Sequence, residues 1–145
     1  MKTFKDLKIQ FPDAVESAWH QHANGGGWVE NTARVDATAF VGPDAVVCDN
    51  AMVRGYAAVR DNAMVCDNAV VLDNAMVSDN AMVRGYAVVL DDAVVRGYAW
   101  VCDNAVVLDN ATVRDNAVVC GNARVCGYAW VCGNAVVSDN AVVSK

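Results

Sequence analysis

From residue 29 onward the apolar and polar positions repeat with a period of six. Valine occupies every sixth residue from Val29 to Val143, 20 positions without a lapse, and alanine every sixth from Ala33 to Ala141, 19 positions without a lapse. Such a period cannot hold one face of an α-helix, because at about 100° per residue successive valines would turn by about 600°, or 240°. It does suit a strand, with alanine pointing in, the next residue out, valine in and the next out. The residues that finish each hexad are typically Asp or Gly and then Asn or Tyr, as in Ala69-Val-Val-Leu-Asp-Asn and Ala51-Met-Val-Arg-Gly-Tyr. These types accept left-handed or bridge backbone geometry. Each hexad therefore predicts one short strand and one corner, and the periodicity by itself predicts a β-solenoid. Valine and alanine are small, so the shaft is thin. Backbone ladders and stacked corner asparagines are expected to add to its stability.

The A-x-V-x-[DG]-[NY] hexads resemble those of the hexapeptide-repeat proteins over about residues 25–144. That resemblance implies an all-β fold, a single left-handed parallel β-helix in which three hexads close each triangular coil of 18 residues. About 6–7 such coils at about 4.8 Å each give a prism roughly 32 Å tall. On this reading residues 1–24 form a short N-terminal strand and helix cap, and residues 25–145 form the β-helix. The opening coil, from Gly25-Gly-Gly-Trp-Val29 to Val41-Gly-Pro-Asp-Ala45, is similar to that of uncharacterised hexapeptide proteins of bacteria and their phages.

The same resemblance raises two activities, because the family includes acyltransferases with a histidine base and carbonic anhydrases with three histidines on zinc. This chain has His20 and His22, both before the first coil. No catalytic residue and no metal ligand is carried over, and no cofactor is expected. The coils also run without an inserted loop after Val41. The expected function is a non-catalytic β-solenoid binding or structural module that self-associates. One alternative is an acyltransferase-like enzyme with an atypical site, using His20 or His22 from a neighbouring subunit. Another is a phage or mobile-element inhibitor that blocks a host complex by surface complementarity.

Residues before the coils are expected to cap the open bottom. Pro12 near the start of the segment Pro12–Trp19 predicts a short helix, with Phe11, Val15 and Trp19 on one face. Lys2, Lys5 and Lys8, interleaved with Phe4 and Leu7, predict an edge strand. The last strand meets Lys145 directly, so its edge is expected to invite end-to-end pairing.

If residues eighteen apart stack, the exterior resolves into three faces. The second carries Val70, Leu72, Val88, Leu90, Val106 and Leu108 as a block of outward aliphatics, a candidate self-association surface of a few hundred Å². The family resemblance implies side-by-side trimers, and the open upper edge an end-to-end dimer, so the expected homo-oligomer is a trimer or an end-to-end dimer. The third face carries Arg60, Arg96 and Arg114 near Trp130, a candidate contact for an anion or a partner. One corner stacks Asp73, Asp91 and Asp109, a candidate acidic partner contact, although turn chemistry also accounts for these residues.

Charge and cysteine content narrow the partners. With 17 acidic against 11 Lys and Arg residues, the net charge of −6 argues against a phosphate-held nucleic-acid binder. No leader-like or membrane-length apolar run is present, so no membrane partner and a cytoplasmic location are expected. All six cysteines follow an inward valine, which makes Cys48/Cys66 and Cys102/Cys120 neighbours. No C-x-x-C spacing points to zinc, so no metal is expected.

Overall fold

The structure, a computed structural model, describes residues 2–145. From residue 28 to residue 144 the chain winds as a three-sided parallel β-solenoid of about six turns. Each hexad is a two- or three-residue strand followed by a turn, and residues eighteen apart pair in register: Met64 with Met82, Val70 with Val88, Met76 with Val94. The three columns of strands are three sheets, one per face.

Alternation within each strand builds the core. The valines from Val41 to Val125 in the six-residue series are at most 1% exposed, and so are the alanines from Ala39 to Ala129. Removing these side chains from water stabilises the wound chain, at roughly 25 cal/mol per Å² of apolar surface. Towards the last coil Val131 and Val137 loosen slightly, and Ala135 and Ala141 are exposed. The outward Trp130, Val136 and Val142 on the uppermost strands are exposed as well.

The corners explain the hexad's fifth residue. Ten aspartates, among them Asp73, Asp91 and Asp109, have φ between 55° and 63°, and the corner glycines from Gly55 to Gly133 have φ between 64° and 70°. Left-handed backbone is the region that Gly, Asn and Asp tolerate best. Aspartate has a further use here: its carboxylate accepts the backbone N–H of the left-handed residue one coil up. Asp73 accepts from Asp91 N at 3.3 Å, Asp91 from Asp109 N at 3.1 Å and Asp109 from Gly127 N at 2.8 Å. The corner asparagines join through the backbone instead, as when Asn50 N–H donates to the Asp67 carbonyl at 2.9 Å. The side-chain stack at the corners is thus one of aspartates, where asparagines were expected.

The N-terminal segment departs from expectation. Residues Phe4–Gln10 form a helix, α1, where an edge strand was expected. A capping box starts it: Asp6 N–H donates to Thr3 Oγ1 at 3.2 Å, and Thr3 N–H donates to Asp6 Oδ2 at 2.9 Å. These bonds hold the Asp6 carboxyl below its ordinary pKa. Helical spacing then puts Phe4, Leu7 and Phe11 on one side, and Phe11, the residue before Pro12, leaves helical backbone as the C-cap. Beyond the proline only a short 3-10 turn, Glu16–Ala18, forms. Strand β1, Trp19–Gln21, then pairs antiparallel with β2, Trp28–Glu30, so the helix expected over Pro12–Trp19 is absent.

The cap also sits elsewhere. Leu7, fully buried, packs with Trp19, Trp28, Val46, Cys48 and Cys66 on the outside of the first face, while Val15 is 61% exposed. Trp28 Nε1–H donates to the Lys2 carbonyl at 2.8 Å, and Phe4 meets the Trp28 ring edge-on at 5.6 Å. At the bottom of the third face, side chains replace a missing strand. His22 Nε2 and Asn24 Nδ2 donate to the Ala39 carbonyl at 2.8 and 3.0 Å, and Gly27 N–H donates to the Val41 carbonyl at 2.9 Å.

Candidate functional site

Sheet pairing places Val70, Val88 and Val106 in one vertical row, with Leu72, Leu90 and Leu108 in the row beside it. All six are half-buried by their neighbours above and below, so they form a flat aliphatic block. Polar side chains bound it: Arg54 approaches Asp36 at 3.8 Å towards the bottom, and the exposed Arg124 stands above Val106.

On the third face the arginines do not form a uniform stripe. Arg60 lies over the Phe40 ring at 5.7 Å and Arg114 over the Trp130 ring at 4.6 Å. Arg96, between them in the column, is exposed and borders a shallow hollow of about 380 Å³ with Ser78, Thr112 and Trp130. Arginine over an indole gains cation–π attraction, which orients both groups side by side. Asp73, Asp91 and Asp109 line their corner as expected, each with one carboxylate oxygen engaged in the ladder described above.

The first face holds the densest set of reactive groups. Its outward flanking column reads Glu30, Cys48, Cys66, Arg84, Cys102, Cys120. The Cys48 and Cys66 sulfurs and a carboxylate oxygen of Asp49 lie within 4.8 Å of one another, and so do the corresponding atoms of Cys102, Asp103 and Cys120. All six cysteines of the chain are free thiols. Cys48 and Cys66 are buried beneath α1, whereas Cys102 and Cys120 are half-exposed. The Cys48 thiol donates to Asp49 Oδ2 at 3.8 Å; its pairing with the Cys66 thiol pushes Cys48 up and, with Arg84 next in the column, draws Cys66 down from the ordinary thiol range. Burial raises Cys102, with nearby Asp103 adding to the effect. Arg84 itself lies 3.7 Å from Asp67 and over the Trp100 ring.

A cavity of about 350 Å³ opens beside the lower pair, lined by Phe11, Asp13, Trp19, Glu30, Cys48 and Asp49. Sequence reasoning found the two cysteine pairs and missed their carboxylates. The missing signal was the corner aspartate beside each lower cysteine, read across a coil instead of across a C-x-x-C turn.

Truncating the cover should open this region. Leu7→Ala removes a fully buried side chain and is expected to cost about 2–5 kcal/mol locally. Alkylation of Cys48 and Cys66 should then accelerate at least tenfold while circular dichroism still reports the intact solenoid. Unchanged alkylation rates would show that α1 does not shield the thiols.

Residues 117–133 and 129–145 match the family model described as the YdcK beta-solenoid repeat. The chain is a parallel β-solenoid repeat protein. The matched stretches begin at Ala117 and include the topmost strand of every face, so the similarity falls on the regular upper coils. No curated protein and no solved structure matches the chain. Among the described residues no helix is long and apolar enough to cross a membrane.

Proposed function

We propose that this solenoid is a non-catalytic binding or structural module of the hexapeptide-repeat kind, left-handed in its winding, that self-associates through its second face. The observation that carries the reading is the aliphatic block of Val70, Leu72, Val88, Leu90, Val106 and Leu108, with Arg54 in the coil below it and Arg124 in the coil above. An apolar centre with a polar rim is the common anatomy of a protein interface. The block by itself is smaller than the roughly 800 Å² per partner of a stable interface. A whole face, about six residues or 20 Å wide and about 33 Å tall, approaches that size, so the reading needs the rim as well as the centre.

Two placements weigh against the acyltransferase alternative. His22 is committed to the Ala39 carbonyl, and His20 lies 2.6 Å from the Asn31 side chain, both against the bottom of the first coils.

Light scattering tests the reading. The native protein is expected to have the mass of a dimer or trimer, and Leu90→Asp the mass of a monomer, because an outward carboxylate would be desolvated at the centre of the interface. A monomeric native protein would overturn it.

A further inference from the structure

The first face carries the same three-residue arrangement twice; the corner geometry accounts for the aspartate of each copy but not for its two cysteines. In a stack of 18-residue coils, an outward cysteine meets the next outward cysteine of its column, and the corner aspartate following the lower one leans in beside them. Cys48, Asp49 and Cys66 make one such set, and Cys102, Asp103 and Cys120 make the other, three coils higher. Outward flanking positions elsewhere hold Arg, Ser or Leu without harm to the fold, so solenoid geometry does not demand sulfur there.

We propose that each set binds a thiophilic divalent metal ion of the zinc class, through two thiolates and one carboxylate. Two thiolates suit soft or borderline ions, a carboxylate suits borderline and hard ones, and zinc accepts both in a tetrahedral shell whose fourth position is left to water. With all donor atoms in a set within 4.8 Å of one another, small side-chain rotations bring them onto one ion at the usual Zn–S and Zn–O separations of about 2.3 and 2.0–2.2 Å. On binding, the two S–H bonds of a set break, both protons leave to solvent, and both sulfur electron pairs go to the metal.

Donors around each carboxylate hold it in place. Asp49 Oδ2 accepts Asp67 N–H at 3.1 Å, while Glu30 Oε1 fixes the corner by accepting the backbone N–H of Asp49 at 2.6 Å. In the upper set Asp103 Oδ2 accepts Gly121 N–H at 2.9 Å. Such outer bonds orient a ligand before the ion arrives. The cavity beside Cys48 and Asp49, with Asp13 and Glu30 in its wall, gives a cation an acidic way in to the lower set. The upper set opens directly to solvent. Arg84 stands between the two sets and is tied to Asp67 and Trp100, which keeps them separate.

Apolar packing of thiols under Leu7 is the competing account for the lower set. It does not reach the upper set, where no helix covers the sulfurs.

The test is titration of the reduced full-length chain with Co²⁺ as optical probe, followed by displacement with Zn²⁺. The expected result is about two ions per chain, a sulfur-to-cobalt charge-transfer band and its loss on adding zinc. Cys48→Ser and Cys102→Ser should each remove about one ion, and Cys126→Ser and Cys132→Ser, which alter cysteines outside the sets, should remove none. Because Cys48→Ser alters a buried cluster, Cys120→Ser at the half-exposed set provides a second variant, checked for native circular dichroism. Absence of the charge-transfer band in the native chain, or a stoichiometry that Cys102→Ser and Cys120→Ser leave unchanged, would overturn the proposal.

Discussion

Val89→Asp is expected to abolish folding, while Leu90→Asp, one residue along, leaves the coils intact. Val89 is fully buried in the shaft between Val71 and Val107, its partners in the coils below and above. Removing the valine forfeits about 1.5–3 kcal/mol of burial. The larger effect is the carboxyl group, which enters a shaft lined by alanine and valine alone. Nearby backbone groups are already spent in the ladder, as when Leu72 N–H donates to the Val89 carbonyl at 3.0 Å. A buried, unpartnered polar group costs several kcal/mol even when it takes up a proton. Together these approach the whole stability of an ordinary domain, about 5–15 kcal/mol. Each coil is supported only by its neighbours, so a break in the fourth coil separates the stack into two halves. Soluble yield and far-ultraviolet circular dichroism of the two variants check the contrast. A Val89→Asp protein that melts like the native one would mean that the valines do not face a closed shaft.

Gly97→Val should lower the melting temperature far more than Gly133→Val. Both glycines have left-handed backbone, φ +70° and +64°, so either valine meets the strain of that region, about 1–2 kcal/mol before the penalty for β-branching. What differs is the space. A Cβ on Gly97 would lie 2.8 Å from the Asp115 backbone nitrogen and 3.1 Å from its carbonyl oxygen, whereas at Gly133 nothing lies within 4 Å. The atoms in the way at Gly97 are backbone of the coil above, which can move only by breaking that coil's corner. The Gly97 amide also donates to Asp79 at 3.0 Å, and a shifted corner would leave that carboxylate without its donor. Overpacking alone typically costs about 1–3 kcal/mol, which adds to the strain. Gly97→Asp serves as a control, since aspartate holds the same backbone at ten other corners. It should fall between the native protein and Gly97→Val. Equal melting of Gly97→Val and Gly133→Val would show that coil-to-coil contact at the corner is unimportant.

Much of this molecule could be read from residue types alone, and the reason is its repetition. Every alanine and valine of the series repeats the same local choice, so an error in one hexad is outvoted by the rest. The columns follow at once: Met64 over Val46, Val88 over Val70, Thr112 over Val94. The corner aspartates were legible as turn residues, though not as acceptors, because their carboxylates act on a residue one full coil away. The non-repeating start of the chain was harder. Thr3 and Asp6 carried a capping-box spacing that marks a helix, yet the alternation of lysine with Phe4 and Leu7 suggested a strand. Val15, expected in the cap, is exposed because Pro12 ends the helix and the chain turns away before it.

The candidate sites divide along the same line. The aliphatic block and the arginine column are properties of single columns, and so were visible in the order of residues. Folding of Arg60 and Arg114 onto Phe40 and Trp130 was not, since it depends on rotamers chosen in the assembled face. Nor was the meeting of Asp49 with Cys48 and Cys66, which needs a corner side chain to lean across the edge between two coils.

The order of residues settles which side chains face the shaft, where each corner falls and which residues stack, because all three follow from strand alternation and a constant coil length. Folding in three dimensions alone decides that α1 lies along the first face instead of under the stack, and that two pairs of thiols each gain a carboxylate. Both outcomes depend on contacts between parts of the chain with no common period, where shape and hydrogen-bond geometry choose the partner.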